Sequence, residues 1–116
     1  MTIHARSIRE KPRKSDGRRI LVDRLWPRGL SKEKVEIEFW ARDIAPSNEL
    51  RKWYSHDPAK WDEFRQRYFA ELDANEEQVA ELRSRMGKGT VSLLFGSREP
   101  RLNNATALIE YLQARR

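Results

Sequence analysis

Ile20-Leu21-Val22-Asp23-Arg24-Leu25-Trp26-Pro27-Arg28-Gly29, in one-letter form ILVDRLWPRG, is the stretch on which the fold turns. Ile20 to Leu25 begins as a branched apolar run, the pattern of a strand covered on both faces. Pro27 and Gly29 then end it. Thr90 to Phe95 (TVSLLF) is a second such run, entered from Gly87 and Gly89 and left through Gly96. Two weaker extended segments complete the set. One is Ile3 to Ile8. The other is Val35, Ile37 and Phe39, which alternate with Glu36 and Glu38 at the strand period of two.

Helical patterns fill the space between the strong strands. Ser47 is placed to cap a helix on which Leu50, Trp53 and Tyr54 share a face. Asp57-Pro58 reads as a stop and restart, with Asp57 as N-cap and Pro58 in the first helical position. The helix that follows carries Trp61, Phe64, Tyr68 and Leu72 on one stripe. Asn75 with Gln78 has the spacing of a capping box, ahead of Val79, Leu82 and Met86, with Gly87 as the stop. A last helix is predicted from Pro100, burying Leu102, Ala105, Ile109 and Leu112. Strand, helices, strand, helix is the order of an α/β layer fold. It predicts a short, mostly parallel sheet of about four strands packed with helices, in a single domain over residues 1–116. No internal repeat or linker interrupts the chain.

Composition narrows the chemistry. The chain of 116 residues is 38% apolar and 36% charged, so a small core must sit under a densely charged surface. It has no Cys, which excludes disulfides, thiolate catalysis and Cys-based zinc sites. His4 and His56 are the two histidines, too few for a multi-histidine metal centre. No metal and no cofactor are expected. No apolar run is long enough to span a bilayer, and Met1 to Arg6 lacks a signal-peptide core, so a cytoplasmic protein is expected.

Net charge is +6, unevenly spread. Residues 1–34 hold eleven Lys and Arg against four acids, and the remainder is nearly balanced. The densest part is Arg9 to Arg19 (REKPRKSDGRR), where Lys11, Arg13, Lys14, Arg18 and Arg19 offer a nucleic-acid surface or a solvated loop. No aromatic side chain lies among them to stack on a base.

If the two strong strands are parallel neighbours, a ligand site belongs beyond their C-terminal ends. Those ends carry Arg24, Trp26 and Arg28 on one side and Ser97, Arg98 and Glu99 on the other. Asp23, inside an apolar strand, must be paired with Arg24 or Arg28, be bonded at a helix N-terminus, or be a shielded general acid or base. Glu99 is a second proton-handling candidate or a helix cap. The arginines offer planar forks for phosphate or carboxylate, and Trp26 a stacking face or a core side chain. Asn103 and Asn104 could bond a ligand or only the backbone. His56, at a helix end, is an accessory candidate.

Three blocks carry a family resemblance: SDGRRILVDRLWPRGLSK (Ser15 to Lys32), IAPSNELRKWYSHDPAKWDEFRQRYFAEL (Ile44 to Leu72) and VSLLFGSREPRLNNATALIEYL (Val91 to Leu112). They resemble the YeaO-like family, a bacterial and archaeal group of domains of unknown function. The resemblance implies a small Rossmann-like α/β sandwich and no particular reaction. Wider relatives end the last strand with Cys and continue with Cys-His-Arg, where this chain has Phe95 and Asn103-Asn104-Ala105. Chemistry that depended on those thiols is therefore missing. The YeaO-like branch carries Asn-His-Ala or Asn-Gln-Ala there, so Asn103 matches and Asn104 departs.

The leading expectation is a domain that binds or processes a small anionic ligand, such as a nucleotide or phosphorylated metabolite. A nucleic-acid-binding module ranks second, and a protein-interaction domain without catalysis third.

Overall fold

A computed structural model describes residues 2–115. Four strands, β1 (Ile3–Ser7), β2 (Arg18–Leu21), β3 (Phe39–Trp40) and β4 (Val91–Phe95), form an all-parallel sheet in the order β1-β4-β2-β3. Five helices accompany it: α1 (Lys32–Val35), α2 (Asn48–Tyr54), α3 (Trp61–Asp73), α4 (Glu76–Met86) and α5 (Asn104–Ala114). The result is the Rossmann-like α/β sandwich, with the two strong strands paired as parallel neighbours.

Strand alternation divides the core between the two faces. Ile20, Val91, Leu93 and Phe95 face α2 to α5, where Leu50, Tyr54, Phe64, Tyr68, Leu72, Leu82, Leu108 and Leu112 pack. Leu21 and Leu94 face the other way, into a smaller cluster with Ile8 and Val35, against which Trp26, Leu30, Ile37 and Trp40 lie half-buried. Both β2 and β4 are thus covered on both faces, as their unbroken apolar runs require.

Three local expectations need correction. Val35 ends a short helix, and only Phe39 and Trp40 are strand. Ser31 Oγ accepts from Lys34 N at 3.4 Å and caps this helix, and Glu36 at φ 50° ends it. Val35 and Ile37 thus reach the small cluster from helix and loop, which reproduces a strand-like alternation without a strand. Asn75 stands at the N-cap of α4 but forms no capping box, because its Nδ2 donates to the Asp43 carbonyl at 3.0 Å. Finally, α5 starts at Asn104, four residues after Pro100, with Asn103 as N-cap. Asn103 Oδ1 accepts from Thr106 N at 3.1 Å, and Thr106 Oγ1 accepts from Asn103 N at 3.4 Å. Leu102 therefore precedes the helix, and the fully buried face is Ala105, Ala107, Leu108 and Leu112, with Ile109 half-buried. Ser47 caps α2 and Gly87 stops α4 as their residue types predict, while Asp57 caps a 3-10 turn over Pro58–Lys60 that leads into α3.

Strand β2 also ends earlier than its apolar run. In a continuing ladder the Gly96 N–H would donate to the Val22 carbonyl, following the Val22 N to Leu94 O bond at 3.0 Å. Instead Gly96 N donates to Asp23 Oδ2 at 2.7 Å, and the Val22 carbonyl accepts from Asn104 Nδ2 at 3.0 Å. Two side chains replace the ladder at the point where the strands open.

Candidate functional site

The chain leaves β2 toward the small cluster and leaves β4 toward α5 on the opposite face. A parallel sheet whose neighbouring strands depart to opposite faces opens a crevice between their C-terminal ends. Here that crevice is an open cleft of about 210 Å³. Asp23, Arg24 and Leu25 line it from the end of β2, and Ser97, Asn103 and Asn104 from beyond β4. Ala45, Pro46, Arg51, Tyr54, His56 and Phe64 close it from the α2–α3 side.

Asp23 lies at the centre of the junction. Its Oδ2 accepts from Gly96 N and its Oδ1 accepts from Asn104 Nδ2 at 3.0 Å, while its own carbonyl accepts from Trp40 Nε1 at 2.7 Å. Of the alternatives the sequence left, the bonds made at the start of α5 describe it best, since neither Arg24 nor Arg28 pairs with it among the described residues. Burial pushes its carboxyl above the ordinary carboxylate value, while Asn104, Gly96, Arg9 and Arg51 pull the other way. Arg9 stands near because its Nη1 donates to the Gly96 carbonyl at 2.9 Å.

The cationic side of the cleft is Arg24 and Arg51, with the His56 imidazole beside them in the lining. Arg24 Nη2 donates to the Ala45 carbonyl at 3.1 Å, tying the β2 end to the loop before α2. Arg51 is exposed and takes part in no ion pair among the described residues. His56 is held at φ 58°, directly after Ser55 at φ 45°. Two successive left-handed residues without glycine are costly, on the order of 1–2 kcal/mol each. Tyr54 stacks on Phe64 with centroids 4.4 Å apart and donates its hydroxyl hydrogen to the Leu102 carbonyl at 2.9 Å. Its hydroxyl pKa is raised by burial and by the acids Glu99 and Asp57.

The other candidates lie outside the lining. Trp26 donates from Nε1 to the Leu30 carbonyl at 2.7 Å and meets Trp40 edge-on at 5.4 Å, as part of the small cluster. Arg28 and Arg98 are exposed and take no part in the lining. Glu99 accepts from Leu102 N at 2.7 Å and Arg101 N at 2.5 Å, which shapes the turn ahead of α5 rather than capping it. Those two N–H donors hold its carboxyl below the ordinary value. Arg51, Tyr54, Ala45, Pro46, Leu25 and Phe64 are lining residues that sequence reasoning did not single out. The block Ile44 to Tyr54 was their available signal, because it is as distinctive as the strand ends and supplies four of them.

The basic segment is less available than its composition implies. Arg19 is buried, with Nη1 on Asp16 Oδ2 at 2.6 Å and its Nε and Nη2 on the Val35 carbonyl at 3.0 and 2.8 Å. Its guanidinium builds the fold and cannot face a phosphate backbone. Arg18 pairs with Glu38 at 2.9 Å. Lys11, Arg13 and Lys14 remain exposed.

Residues 2–116 match the family model described as the inactive DUF488-N3 subclade. The uncharacterized protein Rv3073c of Mycobacterium tuberculosis is 41% identical over 100 residues, covering 86% of this chain and 84% of that protein. The uncharacterized protein YeaO of Escherichia coli is 35% identical over 114 residues, covering 98% of this chain and 99% of that protein. No solved structure matches significantly.

Proposed function

This chain belongs to the YeaO-like family, within the inactive DUF488-N3 subclade, and from that premise we propose that it binds a small anionic ligand at the C-terminal rim of its sheet without transforming it. One observation carries the reading: Arg24, Arg51 and His56 line the same cleft, whose single acid, Asp23, has both carboxylate oxygens occupied by donors. Guanidinium groups at a partly desolvated surface favour carboxylate or phosphate, and engaged oxygens soften the repulsion from Asp23.

Binding is favoured over catalysis on the same geometry. Each hydrogen bond that a carboxylate accepts lowers its basicity and fixes its orientation, which disfavours it as a general base. Asp23 accepts from Gly96 and Asn104, and Glu99 is committed to the turn outside the cleft. Phe95 and Asn103-Asn104 stand where wider relatives have Cys and Cys-His, and both asparagines serve structural bonds. The description of the subclade as inactive agrees with this.

A thermal-shift screen against nucleotides, phosphorylated metabolites and organic anions tests the reading. A genuine ligand raises the melting temperature of the wild type and of Arg98→Ala, and loses its effect in Arg51→Ala. A full panel without a shift, or shifts indifferent to Arg51, would overturn it. Nucleic acid is the weaker reading, since Arg19 is buried in the fold and Arg18 is paired with Glu38 at the surface.

A further inference from the structure

We infer that the ligand is a monocarboxylate with a compact apolar body, a single ring or a branched chain; this rests on the anion-binding reading above and narrows it. Size is the first constraint. The cleft holds about 210 Å³. An apolar cavity of roughly 150 Å³ takes a benzene ring, whereas drug-sized ligands occupy pockets from about 300 Å³ upward. A ring with one small substituent matches this volume. A nucleoside with its phosphate would extend out of this open cleft into solvent.

The walls give the second constraint. Leu25, Pro46, Tyr54 and Phe64 all line the cleft. Leu25 is the large apolar side chain left exposed among the described residues, at 62%. Covering it removes apolar surface from water, and a polyol or sugar body forgoes that gain. Tyr54 and Phe64, stacked on each other and almost fully buried, give the cleft a rigid apolar floor.

Charge is the third. Arg51 is a planar fork without an ion-pair partner among the described residues, suited to two parallel bonds to one carboxylate. Arg24 already spends one nitrogen on the Ala45 carbonyl. With Asp23 in the same lining, a single negative charge is tolerated better than a phosphomonoester, which carries about −1.5 to −2. An anion with one charge and an apolar body satisfies all three.

Titration calorimetry on the full chain with benzoate, benzamide, phenyl phosphate and AMP separates the possibilities, with circular dichroism confirming that Arg51→Ala is folded. Benzoate should bind saturably and at least tenfold more weakly to Arg51→Ala, and benzamide, the uncharged analogue, should not bind. If phenyl phosphate or AMP binds more tightly than benzoate with the same dependence on Arg51, the carboxylate class is wrong and the anion-binding reading stands. Benzoate binding unaffected by Arg51→Ala removes both for this cleft. Silence from all four probes overturns the carboxylate class, and the broader reading falls with it only if the wider anion screen is silent too.

Discussion

Asn104 and Asp23, 81 positions apart in the chain, meet through a 3.0 Å hydrogen bond from the Asn104 side-chain amide to Asp23 Oδ1. The same amide nitrogen donates to the Val22 carbonyl, so one side chain at the start of α5 closes both the carboxylate and the end of β2. This contact sets the distance between the strand ends and hence the opening of the cleft. It also explains how a carboxylate is kept at a junction where burial disfavours its charge.

Asn104→Ala removes both bonds and leaves a largely buried carboxylate with Gly96 N as its remaining donor. The cost of stranding such a group is about 1–3 kcal/mol. Urea unfolding at pH 7 should show a loss in that range, and no measurable loss would mean that water or a rearranged Arg9 replaces Asn104.

A second buried acid gives a pH signature. Asp16 is 1% exposed and pairs with Arg19 at 2.6 Å and Arg6 at 3.4 Å. Burial alone would raise its pKa, but the Arg13 N–H, Arg19 and Arg6 together hold it below the ordinary 3.8. A depressed folded-state pKa gives stability that is present above the unfolded value and is lost as pH falls through the folded one. Asp16→Asn should therefore cost about 3–5 kcal/mol near neutrality, since it strands a buried guanidinium. That gap should shrink as pH is lowered below about 4, and a constant gap would rule out the ion pair as its source.

Ser55 ends α2 at φ 45°, where its N–H donates to the Arg51 carbonyl. Glycine occupies this left-handed position without a Cβ penalty, so Ser55→Gly should stabilise the fold by about 0.5–1 kcal/mol. His56→Gly should relieve the same kind of strain while weakening any anion bound in the cleft. Denaturant midpoints for both variants, with ligand affinity for the second, check whether the strain is kept for binding.

Gly17 sits at φ 66° and ψ −138° in the turn after Asp16, whose carbonyl accepts from Ser92 Oγ of β4 at 2.8 Å. A Cβ there would run into the Thr90 carbonyl, which already accepts from Arg18 N at 3.0 Å. Gly17→Ala should cost more than about 2 kcal/mol through backbone strain and clash together. A smaller loss in thermal or urea unfolding would show that the turn can shift away from Thr90.

The basic segment yields a prediction through salt. Arg19 is buried, Arg18 pairs with Glu38 and Arg9 bonds the Gly96 carbonyl, which leaves Lys11, Arg13 and Lys14 as the exposed cations least engaged, Arg13 meeting Glu10 only at 3.9 Å. Any nucleic-acid affinity should then fall with a slope near −3 in log affinity against log salt for duplex DNA, following about −0.9 per phosphate contact. A much steeper slope in a fluorescence-anisotropy titration would show a larger basic surface than these three residues make.

Local chemistry was legible from the residue order. The runs at Ile20 and Val91 mark the central strands, because apolar residues on successive positions need cover on both faces. Ser47, Asp57 and Gly87 act where their side chains, or the lack of one, suit a helix terminus. Of the residues expected at the sheet rim, Asp23, Arg24, Ser97, Asn103 and Asn104 line one cleft together with His56, whereas Trp26, Arg28, Arg98 and Glu99 lie outside it. Tertiary structure alone decided the rest. Arg19 and Arg24 are both arginines at strand ends, yet one is folded into a buried bond to Val35 and the other lines the cleft. Arg51 and Tyr54 reach that cleft because β4 inserts between β1 and β2 and α2 packs above the opening. Periodicity and caps depend on neighbours within a turn or a strand, whereas these meetings depend on strand order across the whole chain, which no short window encodes.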